Sequence, residues 1–138
     1  TPLIAHDAAE FDALLARLFG QRPWLPWPIL RAAREDAIRR APSNHRLWRE
    51  HLADRYLLER RLARVPAPLL VLWGRRDRVF HVSGARTLRW QRPDADIQVL
   101  DRLGHLPMME APLTVAQRYR PFLERHRWMR HRTRCATA

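Results

Sequence analysis

The sequence has no lysine, one cysteine, four glycines and two serines, and each scarcity closes off a class of reading. The single cysteine, Cys135, cannot form an intramolecular disulfide, so this is no disulfide scaffold, and the redox compartment is left open. No stretch comes near the roughly 20 consecutive apolar residues that a membrane-spanning helix needs. The first residues also lack the basic-then-apolar order of a secretory signal. A threonine at position 1 leads us to expect further residues upstream, which leaves export undetermined, with a cytoplasmic or membrane-peripheral location slightly favoured.

What is abundant is arginine. All 26 basic residues are Arg and the net charge is +12, which invites a phosphate partner. They are spread from Arg17 to Arg134, a bias that GC-rich coding produces without selection, so a solvated surface outweighs a nucleic-acid partner. The densest stretch, His126 to Arg134, reads as a frayed basic tail that could touch anionic lipid or nucleic acid. With 138 residues and 46% hydrophobic content, the chain can bury one core.

Phe11, Leu14, Leu15, Leu18 and Phe19 repeat at helical spacing, and Gly20 and Pro23 end that helix. The Pro/Trp segment 22–28 follows, with Pro28 suited to the first turn of a second helix. That helix is expected to run to about Ala41 and stop at Pro42, with Ser43 capping a third on which Trp48, Leu52 and Tyr56 repeat. Leu69 to Trp73 is a short apolar run between Pro68 and Gly74, expected as a strand buried on both faces. Ile97 to Leu100 is a second such run, and a helix over Val82 to Trp90 between them predicts parallel strands. A last helix from about Leu113 to His126 sets Val115, Tyr119, Phe122 and Leu123 on one face, and Pro121 is expected to kink or interrupt it. Two parallel strands make an incomplete sheet, so the fold is expected to be cut and the first strand to offer an unpaired edge.

In open parallel sheets, reactive groups gather beyond the carboxyl ends of the strands. The first strand delivers Asp77 there, after a sharp turn expected at Gly74. The second delivers His105, in a loop that Gly104 is expected to make flexible and Pro107 rigid. Glu110 is expected to cap or orient that loop. The remaining histidines lack the spacing and third ligand of a metal site, and neither metal nor cofactor is expected.

The segments Pro-x-Leu-x-Leu-x-Gly-x-x-Asp, from Pro68 to Asp77, and Gly-His-x-Pro-x-x-Glu-x-Pro, from Gly104 to Pro112, resemble the acid strand and histidine loop of α/β-hydrolases. Residues 77–85 are similar to the monoacylglycerol-lipase branch. The resemblance implies a partial α/β-hydrolase fold, with a helical cap at 1–64, the last two parallel strands and their helices at 65–126, and the basic tail at 127–138. It also implies that Asp77 orients His105, and that His105 acts as general base in hydrolysing a carboxylic ester, with an acylglycerol-like ester among the expected substrates. Phe19, Trp24, Leu25 and Trp27 are candidate substrate contacts, because caps of this family cover the active site.

The family's nucleophile elbow, Gly-x-Ser-x-Gly, has no counterpart here, since no two of Gly20, Gly74, Gly84 and Gly104 lie four apart. Ser43 reads as a helix cap, and Ser83 is flanked at the elbow positions by His81 and Ala85. The expectation is an enzyme only when an N-terminal half supplies the nucleophile and oxyanion donors, with this chain inactive alone. Dehalogenases, epoxide hydrolases and C–C hydrolases share the same Asp and His placement. A non-catalytic remnant that binds through its basic surface is the alternative from another class.

Overall fold

The computed structural model describes residues 3–53 and 61–135, with side chains described up to His126. Among the described residues three helices come first: α1 (Ala8–Leu18), α2 (Trp27–Arg39) and α3 (Ala41–Ala53). A 3-10 turn over Leu62–Arg64 leads to β1 (Leu70–Gly74). Then follow α4 (Gly84–Gln91), β2 (Asp96–Leu100), the short α5 (Pro107–Glu110) and α6 (Pro112–Cys135). The position of Tyr56, expected on the third helix, lies outside the described residues.

Helix α1 starts where Asp7 accepts a hydrogen bond from the Glu10 N–H, filling one of the donors a helix start leaves unpaired. Its apolar stripe buries Phe11 and Leu15, which with Ala5 and Phe19 form a core packed on by Leu14, Leu18, Leu30, Ala37 and Leu106. Burying each large side chain there stabilises the fold by about 1.5–3 kcal/mol. Leu106 belongs to the loop that carries His105, so this core joins the helical segment to the sheet segment. The imidazoles of His6 and His45 also meet at 2.8 Å between Nε2 atoms, tying the chain before α1 to α3.

Between α2 and α3 the expected boundary shifts. Helix α2 ends at Arg39, and α3 opens at Ala41, so Pro42 sits in a first turn where its missing N–H is not needed. Ser43 therefore lies inside α3 and donates to the Arg40 carbonyl at 2.9 Å, instead of capping the helix.

Strands β1 and β2 pair in parallel, with Leu70 opposite Asp96 and Gly74 opposite Leu100. Residues 70–73 of β1 are half-buried and Gly74 alone is buried, short of the burial on both faces expected from its composition. Two strands, with α5 and α6 against β1 and α4 against β2, leave each strand partly open. Helix α6 stays continuous through Pro121 and on to Cys135, beyond the expected end at His126. The proline removes one N–H from the helical ladder without ending it.

One buried cation organises the connector. Arg92 is 6% exposed. It donates to the carbonyls of Val65 at 2.9 Å, Ala67 at 3.1 Å and Leu62 at 3.4 Å, and its guanidinium pairs with Asp94 at 2.7 and 2.8 Å. That hydrogen bond, first, holds the Asp94 carboxyl below its ordinary range, and the Asp94 carboxylate raises Arg92. No local pattern around Arg92 marks this staple.

Candidate active site

The two strand ends bring Asp77 and His105 together. His105 Nδ1 lies 2.9 Å from Asp77 Oδ2, with the carboxylate 6% exposed and the imidazole 24% exposed. The other carboxylate oxygen, Oδ1, accepts the backbone N–H groups of Val79 and Phe80, each at 2.8 Å. With Oδ1 occupied by two backbone donors, the carboxylate is fixed in orientation and Oδ2 faces the imidazole. A carboxylate can only accept, so Nδ1 carries the proton in this contact and Nε2 of the neutral ring keeps its lone pair. Among the described residues Nε2 has no hydrogen-bond partner.

Both loops dock on the same helix end. The last four carbonyls of an α-helix lack intrahelical donors. Here the Ala16 carbonyl accepts from the Arg78 guanidinium at 3.1 Å, and the Leu18 carbonyl accepts from the His105 backbone N–H at 2.8 Å. The two strand-end loops are also stitched to each other, Arg75 N–H to Leu100 and Arg76 N–H to Leu103, both at 2.9 Å.

Glycine makes this approach possible, for a different reason from the one its sequence context suggests. The chain does turn directly after Gly74, whose carbonyl accepts the Asp77 N–H at 3.2 Å, but none of the described glycines has a positive φ, so that turn does not by itself require glycine. A Cβ on Gly74 would run into the Leu103 and Gly104 backbones, and one on Gly104 would run into the backbone of Gly20 and lie 2.9 Å from the Leu18 carbonyl oxygen. The backbones of 20, 104 and 74 stack with no room for a side chain, which holds the histidine loop rigid between α1 and β1.

The Glu110 carboxylate spans the same junction, accepting from Gly104 N–H through Oε1 and from Gln21 N–H through Oε2, each at 2.7 Å. Phe80, which the sequence reading passed over, sets its ring edge against the His105 imidazole, with centroids 5.2 Å apart and planes at 65°. Its carbonyl accepts from the Trp73 indole at 3.0 Å.

The other residues singled out from the sequence are scattered. Phe19 is 7% exposed inside the α1 core, Leu25 is half-buried, and Trp24 and Trp27 are 86% and 64% exposed. The Arg31 guanidinium lies 5.5 Å from the Trp27 ring centroid. Ser83 Oγ is 2.9 Å from His81 Nδ1 and makes no hydrogen bond to Asp77 or His105. An open depression of about 350 Å³ lies between Leu3, Ile4, Asn44, Leu47, Trp48 and His51, apart from the Asp77–His105 contact.

Similar proteins carry the same arrangement of backbone. The solved structure of a membrane phospholipase A, described as a bacterial virulence factor, superposes with a TM-score of 0.84 at 37% identity, over 92% of this chain and 41% of that one. The chain carries part of an α/β-hydrolase fold. A second solved α/β-hydrolase structure, from Acinetobacter baumannii, gives a TM-score of 0.80 at 28% identity, covering 90% of this chain and 44% of the other. Monoacylglycerol lipase abhd6-B of Xenopus laevis is 28% identical over 127 residues, 88% of this chain and 37% of its own length. The chain thus spans less than half the length of the hydrolases it matches. No protein-family model matches it.

Proposed function

We propose that this chain supplies the acid and the general base of a serine hydrolase that cleaves a carboxylic ester of acylglycerol-like type, with the nucleophile and oxyanion donors on an N-terminal half. The observation that carries the reading is the Asp77–His105 contact, in which Nδ1 is taken by a backbone-anchored carboxylate and Nε2 is left to meet a substrate-side partner. In the reaction His105 Nε2 accepts the serine hydroxyl proton as the oxygen attacks the ester carbon. It then returns that proton to the leaving alcohol as the tetrahedral intermediate collapses. Asp77 holds the tautomer and stabilises the imidazolium formed in between. The relatives named as monoacylglycerol lipases and the phospholipase neighbour support a lipid ester as substrate.

In this reading residues 1–64 form the cap. Trp24, Leu25 and Trp27, in the segment that leaves α1 beside His105, meet the acyl chain, while Phe19 supports them from the core. The basic stretch 127–138 rests at an anionic lipid surface. The test is fluorophosphonate labelling and ester turnover by the full-length protein. His105→Ala and Asp77→Asn should each lower turnover on the order of 10³-fold or more. Equal labelling of wild type and His105→Ala would show that His105 is not the base. An upstream start codon with no in-frame Gly-x-Ser-x-Gly would instead favour a non-catalytic remnant.

A further inference from the structure

We infer that Glu110 is a positioning residue that couples the segment leaving α1 to His105, so that one carboxylate sets both where the cap joins the site and where the imidazole stands. The inference rests on the proposed hydrolase reading for its catalytic consequence, but its structural core does not. The two oxygens of Glu110 are divided between elements distant in sequence. Oε1 takes the N–H of Gly104, immediately before His105, and Oε2 takes the N–H of Gln21, immediately after Gly20. Both bonds are 2.7 Å, the short range of hydrogen bonds to an ionised acceptor.

The carboxylate closes a loop of contacts. A Cβ on Gly20 would lie 2.8 Å from the Gly104 nitrogen, and the His105 N–H already reaches the Leu18 carbonyl at 2.8 Å. Glu110 is itself seated by α5, where its N–H donates to the Leu106 carbonyl at 3.1 Å. Any displacement of residues 21–27, which carry Trp24 and Trp27, therefore pulls on the carboxylate that holds Gly104. Motion there passes to the next residue, His105.

The chemistry of the acceptor makes the role testable. Two N–H donors converge on one side chain, and only a carboxylate offers an acceptor at both positions. Glu110→Gln keeps the volume but turns one N–H toward an amide N–H, while Glu110→Asp keeps the charge on a stem one carbon shorter. In the full-length protein, amide hydrogen exchange at Gln21, Gly104 and His105 should accelerate together, about tenfold or more, in Glu110→Gln. The His105 ring-nitrogen NMR signals should move with it. Turnover of a short-chain ester should fall about 10- to 100-fold in kcat with KM nearly unchanged, and Trp24→Ala should alter kcat in the wild type more than in Glu110→Gln.

Unchanged exchange at Gln21 or at His105 would overturn the coupling. Accelerated exchange with wild-type kcat, in an enzyme that His105→Ala inactivates, would overturn the positioning role. Should Glu110→Gln fail to fold, Glu110→Asp carries the same comparison. If His105→Ala keeps full turnover, the hydrolase reading fails, and the exchange and ring-nitrogen data still decide whether the carboxylate couples the two segments.

Discussion

Gly74→Ala adds one methyl group where two strand-end backbones touch, and its effect can be worked from distances. The new Cβ would clash with the Leu103 and Gly104 carbonyl oxygens and sit 2.7 Å from the Leu103 carbonyl carbon, where ordinary contact begins at 3.4 Å. These are backbone atoms, so no side chain can swing aside, and because the two carbonyl oxygens stand closer still, the loops must separate by about 1 Å or more. The bonds from Arg75 to Leu100 and from Arg76 to Leu103, now 2.9 Å, would stretch to about 3.9 Å, where a hydrogen bond no longer exists. Two lost bonds at about 0.5–1.5 kcal/mol each, with about 1–3 kcal/mol of overpacking, give a destabilisation of about 2–5 kcal/mol. The 2.9 Å contact between Asp77 and His105 spans the same gap and would open with it. Urea denaturation of the full-length protein reads the first effect as a lower midpoint at constant slope. Fluorophosphonate labelling reads the second, as a rate reduced at least tenfold. A variant within about 0.5 kcal/mol of wild type that labels at the wild-type rate would refute the claim that glycine is required at 74 by close approach.

Arg92→Ala should cost about 2–4 kcal/mol, because it strips the donor from the carbonyls of Leu62, Val65 and Ala67; Arg92→Lys should recover little, since an ammonium cannot span them. A denaturation midpoint unmoved by Arg92→Ala would remove the staple from the account. Asp94 and Glu10 are held below the ordinary carboxylate range, Asp94 first by the Arg92 hydrogen bond and Glu10 first by the His6 backbone N–H. Because the folded values are depressed, their stabilisation is complete above the ordinary range near pH 4 and is lost as pH falls through the lower folded values. The stability gap between wild type and Asp94→Asn should therefore close towards pH 2, and a gap that persists there in a pH series of denaturation curves would contradict it. Trp24→Ser and Trp27→Ser should leave stability within about 0.5 kcal/mol, since both rings are more exposed than buried, while raising KM for long-chain esters above that for short ones. Equal KM changes for both chain lengths would detach these tryptophans from the acyl chain.

The order of elements and the pairing of Asp77 with His105 were legible because they depend on local pattern. Two apolar runs of strand length ended at Gly74 and at Asp101, and the loops that follow are those that a parallel sheet presents at its carboxyl edge. Helix α1, which ends at Leu18 shortly before Gly20, followed from periodicity in the same way. The boundary at Pro42 did not, because a proline that cannot continue one helix is equally at home in the first turn of the next.

What only the tertiary structure decided is how the distant pieces meet. The glycines at 20, 74 and 104 are there for contact between backbones far apart in sequence, and no local signal separates that need from a turn's need for a positive φ. Arg92 looked like one of 26 solvated arginines until the fold folded carbonyls around it. The sequence by itself determined which chemical groups stand at the strand ends, because residue type and periodicity are written locally. Their distances, and the carboxylate of Glu110 that ties one loop to another, depend on contacts between residues distant along the chain, and only the packed structure contains those.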